Sequence, residues 1–193
     1  MADALVVLAD VKSEMSITST DEDALLQILL DAALSIWDEL TGRKWLSTAL
    51  TEYYDVEKYS KAVFLDNYPV TVMTSVFDDP DWVYGNDTLL ATADYKVNMD
   101  RGVIHYNGYF SGGAQSVKVV YTAGYTSTTV PKWLKEMICR QVANWHQQAK
   151  NKRWAVSSVS SKEGTSLNFQ LKENLLPDFV LLAERNDRKY RGV

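Results

Sequence analysis

The feature that most constrains the fold is a change of hydrophobic period, made twice along the chain. From Thr48 to Gly124 apolar and polar residues alternate in short runs: LTEYYDVE, KAVFLD, VTVMTSVF, DYKVN, GVIHYN and QSVKVVYTA. Alternation with period two, rich in β-branched and aromatic residues, predicts half-buried strands. The joints hold Asn67, Pro69, Pro80, Gly85-Asn86, Asp100-Arg101-Gly102 and Gly112-Gly113, which are turn residues. Short strands following one another without helices predict an antiparallel sheet or small β-sandwich. On either side the period returns to that of a helix. The expected fold class is therefore α+β: a small helical bundle with an inserted antiparallel β-sheet or sandwich and a C-terminal hairpin plus helix. One domain spans 1–193, with helices in 1–47, the β insertion in 48–124, a helix in 130–152, a hairpin in 154–170 and a last helix in 175–191.

The clearest helix lies between Thr20 and Gly42. Thr20 with Asp23 three residues on has the spacing of a capping box. Asp21, Glu22 and Asp23 suit the positive end of the helix dipole. Leu25, Ile28, Leu29, Ala32, Ile36 and Leu40 form one apolar stripe, and Leu26, Leu30, Ala33 and Trp37 a second. A helix apolar on two faces packs on two sides, as in a bundle centre or an oligomer wall. Gly42 stands where a left-handed cap is expected. A short helix is expected before it, at residues 9–16. Helix resumes at Pro131, with Leu134, Met137, Ile138, Val142 and Trp145 on one face. The segment from Trp154 to Leu171 reads as a polar hairpin turning at Glu163-Gly164, and Pro177 opens the last helix.

The stretch VVYTAGYTSTTVPKWLK, Val119 to Lys135, passes from strand to helix. Gly124 permits a sharp turn and Pro131 presets the helix entry. It reads as a joint, with Tyr121 and Tyr125 as packing anchors.

A length of 193 residues with 46% apolar and 23% charged residues allows a real core and argues against disorder. No apolar run approaches a membrane span, and the start of the chain lacks the pattern of a signal peptide. The net charge of −5 hides an asymmetry: residues 1–40 hold nine acids and one base, while 131–193 hold twelve bases and six acids. Two readings stay open. Subunits stack acidic surface on basic surface, or the two ends neutralise each other inside one fold. A general nucleic-acid binder would show a basic excess, which this chain lacks.

Signs of chemistry are sparse. The single cysteine, Cys139, excludes an internal disulfide and reads as a buried thiol. His146 follows it by seven residues, so a Cys–His nucleophile would have to bridge about 10 Å along a helix. His105 lies in a strand, and no spacing offers converging metal ligands. Asp78, Asp79 and Asp81 concentrate carboxylates around Pro80, which reads as an acidic turn rather than a calcium loop. No catalytic residue, cofactor-binding residue or metal ligand is expected. Six Trp and eleven Tyr are many, and those of the β part divide between sheet packing and half-exposed interface positions.

Four segments, in order, resemble the head-tail connector (adaptor) proteins of tailed bacteriophages. They are LADVKSEMSIT with DEDALLQILLDAALSIWDELTGRKW, ending in Thr41-Gly42-Arg43; LDNYPVTVMTSVFDD; VKVVYTAGYTSTTVPKWLKEMICRQVANW; and WAVSSVSSKEGTSLNFQ with LLPDFVLLAERNDRKYR. The β part near Trp82 to Asp94 is longer than the family minimum. The resemblance implies a structural virion protein and no enzyme. It implies a ring, commonly of twelve copies, docked under the portal at the head-tail junction, extending the DNA channel and carrying a stopper or tail protein. DNA would pass without sequence-specific binding. On this reading Phe179, Leu182, Arg185, Arg188, Lys189, Tyr190 and Arg191 are portal-docking candidates, so removing 178–193 should abolish docking and leave the rest folded. Leu26, Leu30 and Trp37 are ring-interface candidates. Ser157, Ser158, Lys162 and Asn168 of the hairpin face the lumen or a neighbour. The alternatives are a tail-completion or tail-terminator joint protein, a hydrolase using His105 or His146, and DNA binding through the basic C-terminus.

Overall fold

The computed structural model describes residues 4–150, 158–160, 166–168 and 175–186. These fall into two compact units: a β unit, Lys44–Thr128, and a helical unit formed by Ala4–Arg43 with the chain from Thr129 onward. The α+β class holds, with the strands in one block between helices.

In the helical unit α1 is Leu8–Glu14, α2 is Asp23–Thr41, α3 is Lys132–Lys150 and α4 is Pro177–Asn186. The stripe Leu26, Leu30, Ala33 and Trp37 is buried, and Trp37 is the centre of the unit. Its ring meets Trp133 of α3 edge-on at 6.2 Å and Phe179 of α4 at 5.1 Å. Three helices are thereby fixed through one side chain, in the edge-to-face geometry that aromatic quadrupoles favour.

Acids of α1 and of the start of α2 meet bases within the same unit. Lys12 pairs with Asp23 at 2.6 Å, and Lys135 of α3 with Asp10 at 2.8 Å. Glu22 accepts from His146 at 3.0 Å and Lys150 at 3.1 Å. Hydrogen bonding from Lys150, with His146 adding to it, holds the Glu22 carboxyl below its ordinary range. Two acids of the N-terminal stretch, Asp10 and Glu22, are thus met by two bases of the C-terminal one, Lys135 and Lys150, inside one fold. It also explains why the expected Thr20 capping box is not formed. Glu22, not Thr20, stands at the N-cap, without a side-chain cap bond, and Asp23 is drawn to Lys12. Gly42 closes α2 in the left-handed region at φ 64°, as its position predicts.

The β unit holds six strands at the six predicted places: β1 Thr48–Val56, β2 Ala62–Phe64, β3 Val70–Asp78, β4 Tyr95–Asn98, β5 Val103–Tyr106 and β6 Gly113–Ala123. They form two three-stranded antiparallel sheets, ordered β1-β6-β3 and β2-β5-β4. One core joins them: Val63 and Ile104 from the second sheet, with Leu65 just after β2, pack with Val76, Val119 and Tyr121 from the first. β6 is central in its sheet, and its alternate residues Val117, Val119, Tyr121 and Ala123 are all buried. Period-two alternation with one face inward produces this pattern.

The end of β6 is the corner singled out in the sequence. Gly124 has φ 111° and donates its N–H to the Pro69 carbonyl at 2.9 Å. Tyr125 N–H then bonds the Trp45 carbonyl at 2.7 Å, Ser47 N–H bonds the Tyr125 carbonyl at 2.9 Å, and the rings of Trp45 and Tyr125 stack at 5.7 Å. The chain leaving β6 is thereby stitched to the chain entering β1. Farther on, β7 Ser158–Ser160 pairs antiparallel with β8 Ser166–Asn168, Val159 opposite Leu167, in the predicted hairpin segment.

Candidate functional site

Two of the three groups considered for chemistry are buried in packing. Cys139 is buried in α3, and burial pushes its thiol up to about 11, away from the reactive thiolate. His146 is buried against Glu22, and His105 is exposed on β5. Among the described residues no group of three or more His, Cys, Asp or Glu side chains is placed to hold a metal ion. No helix of the described residues is long and apolar enough to cross a membrane.

The polar cluster that sequence reasoning missed lies at Glu52. Tyr54 and Tyr121 both donate their hydroxyls to Glu52 Oε2, and Asn67 Nδ2 donates to Oε1 at 2.7 Å. The same hydroxyls accept from backbone: Tyr54 from Asp66 N–H at 3.0 Å, Tyr121 from Asn67 N–H at 3.2 Å. Asn67 Oδ1 takes the Lys44 N–H at 2.6 Å. Burial pushes both phenols up, and the neighbouring carboxylate adds to this, so they act as donors and do not ionise. The cluster braces the turn before the cis Tyr68–Pro69 bond against β1 and β6. Three donors converge on one carboxylate, and an amide offers only one acceptor oxygen. Glu52→Gln should therefore set a donor against a donor and cost about 2 kcal/mol in urea unfolding of the pure chain. The signal in the sequence was the Glu-x-Tyr spacing, which puts Glu52 and Tyr54 on one face of the strand.

A buried carboxylate, Asp79, organises the loop after β3. It accepts N–H groups from Asp81 at 2.8 Å, Val83 at 3.1 Å and Tyr84 at 2.6 Å. The three aspartates thus form the expected acidic turn.

The interaction candidates sort by burial. Leu26, Leu30 and Trp37, expected at a ring interface, are buried in the core of their own unit. That expectation is corrected: α3 and α4 cover this stripe, so it has no area left for a neighbour. Of the other stripe Leu29 is buried as well, whereas Ile28 is 65% exposed and Leu25, Ala32, Ile36 and Leu40 are partly so. Phe179, expected to dock the portal, is likewise buried, against Trp37. Ala183 is buried with it, so deleting 178–193 would open the core rather than leave the rest folded. Leu182 is half-buried and Arg185 is exposed. Arg188, Lys189, Tyr190 and Arg191, and Ser157 and Lys162 of the hairpin, lie outside the described residues, whereas Ser158 and Asn168 belong to the paired strands. Of the β-unit aromatics, Tyr53, Trp82 and Tyr109 are exposed, Tyr121 is buried and Tyr84 and Tyr125 lie between.

Both units spend their buried polar groups on bracing backbone and leave large apolar side chains in solvent. Such exposed side chains are surface that a partner would cover. The model of the head completion protein family matches residues 4–183, and the chain belongs to that family. It is a structural protein that joins head to tail. Among solved structures it is similar to a chain in the neck of the empty gene transfer agent (GTA) particle, computed with C6 symmetry. That likeness has a TM-score of 0.61 at 17% identity and covers 95% of this chain and 89% of the other. A chain in the neck of the native GTA particle, computed with C12 symmetry, gives a TM-score of 0.55 at 17% identity, covering 97% and 95%. At such identity the likeness is one of fold. No curated protein matches the sequence.

Proposed function

We propose that the chain assembles into a closed ring, of twelve copies, that docks under the portal at the head-tail junction. There it continues the DNA channel and carries a stopper or tail protein. The observation that carries this reading is the family match over residues 4–183. The fold shared with neck chains of particles computed with C6 and C12 symmetry supports it. The role is one of assembly rather than catalysis, and DNA passes without sequence-specific contacts.

A ring needs a heterologous contact that closes by rotation. The outward stripe of α2, with Leu25, Ile28, Ala32 and Ile36, is the surface we assign to it. Asp31 and Glu39 are exposed acids of the same helix. An acidic, apolar α2 face suits a basic face of the next copy. Arg185 of α4, with the basic residues that follow it in the sequence, is assigned to the portal.

Native mass spectrometry of the chain mixed with the portal ring encoded beside it tests the proposal. One chain per portal subunit is expected. Ile28→Asp should fold with unchanged thermal stability yet fail to fill the ring, leaving partial and scattered occupancy. No complex with an intact portal would move the protein to the tail end of the joint.

A further inference from the structure

The loop between β3 and β4 is built to hold an apolar tip out of the β unit. Trp82 is 61% exposed and Val83 78% exposed, yet neither hangs loosely. The buried carboxylate of Asp79 ties the backbone on both sides of them through Asp81, Val83 and Tyr84. Trp82 Nε1 donates to the Ala114 carbonyl at 2.7 Å, and the Tyr84 hydroxyl donates to the Gln115 carbonyl at 2.6 Å. The Tyr84 ring lies 5.4 Å from that of Tyr53 and beneath the ammonium of Lys118 at 5.2 Å. Trp82, Tyr84 and Gln115 all take positive φ, at 63°, 51° and 50°. Side chains other than glycine enter that region at a cost, and such outliers persist only where the surroundings over-determine them. A chain seeking only its own stability would turn the indole inward. Here its one polar atom is bonded to the sheet and the rest of the ring is left in water.

We propose that this tip is a docking knob for the protein that joins on the tail side, through an apolar pocket rimmed by lysine or arginine. The proposal rests on the ring reading above and names the partner of one of its two faces. The choice of partner follows from charge. The β unit holds ten acids against six bases, and Asp78, Asp81 and Asp87 lie on this loop or at its edge. That surface repels DNA phosphates and anionic headgroups. The basic residues after Asn186 follow α4 of the helical unit in the sequence, and a joint protein must face two different partners. Opposite charge keeps those two contacts from being exchanged. Exposed Trp held rigid is the residue type that dominates interface energetics, because little entropy is lost on docking.

The test uses the full chain bound to the portal ring, with the purified tail-side protein encoded next to it as probe. Trp82→Ala should leave portal occupancy unchanged and weaken capture of the tail-side protein about thirtyfold or more in a titration. Val83→Asp alters only an exposed position and should do the same, so a folding defect of Trp82→Ala does not decide the result. Asp81→Lys should slow capture and flatten its dependence on salt. Capture at wild-type strength by both tip variants would overturn the knob. So would loss of portal binding or of ring filling in Val83→Asp, since the tip would then serve the portal or a second copy. If the wild-type chain itself fails to bind the portal, the ring reading fails instead.

Discussion

Trp37→Ala should unfold most of the helical unit, lowering stability by about 3–5 kcal/mol. The side chain is fully buried and touches the rings of Trp133 and Phe179, so its removal opens a cavity among α2, α3 and α4 at once. Against a total of about 5–15 kcal/mol for a domain, that loss is a large share. The measurement is urea unfolding at several dilute protein concentrations, followed by helical circular dichroism. A core residue gives a loss that does not change with concentration. A ring contact would leave the dilute chain intact and alter only its assembly, so the experiment separates the role found in the structure from the one first expected.

Gly124→Ala should be nearly as costly, at about 3 kcal/mol, because two effects add. The φ of 111° is outside what L side chains favour, which alone costs about 1–2 kcal/mol. An added Cβ would also stand 2.7 Å from the Leu46 carbonyl carbon and 2.7 Å from the Trp45 carbonyl oxygen. Both are backbone atoms, so no side chain can turn away to make room. The corner must shift, and with it the Tyr125 N–H to Trp45 bond, the Ser47 N–H to Tyr125 bond and the Trp45–Tyr125 stack. The loss should appear in the β-sheet signal, with Gly124→Val worse still. An alanine variant as stable as the wild type would show that the corner has slack.

Much of this architecture was legible in the residues. The strands declare themselves because each buries one face, and alternation such as Val117, Val119, Tyr121 is the direct imprint of that geometry. Gly42 and Gly124 were readable because only a turn needing positive φ calls for them at those places. What could not be read was which of two apolar stripes on α2 lies inside. Leu26 and Ile28 are equally apolar; Phe179, some 150 residues on, decides between them by packing against Trp37. The same long-range pairing took Phe179 from its expected place at a docking surface. Thr20 lost its cap for a related reason: Lys12, His146 and Lys150 claim the acids that a local motif would have used. Glu52 was overlooked because a strand glutamate looks solvated until Tyr121 and Asn67 arrive from other parts of the chain.

The helical unit is made of two stretches separated by the whole β unit, Lys44–Thr128. Synthesis runs from the N-terminus, and domains fold as they emerge. On the ribosome α1 and α2 therefore emerge before the β unit but lack Trp133 and Phe179 until α3 and α4 follow it. The β unit, whose first and last strands pair from Thr48↔Ala123 onward, is complete before either. The sandwich is the first part to reach its final form. The bundle follows it, and until α3 and α4 have emerged the leucine-rich α2 waits without the helices that cover it.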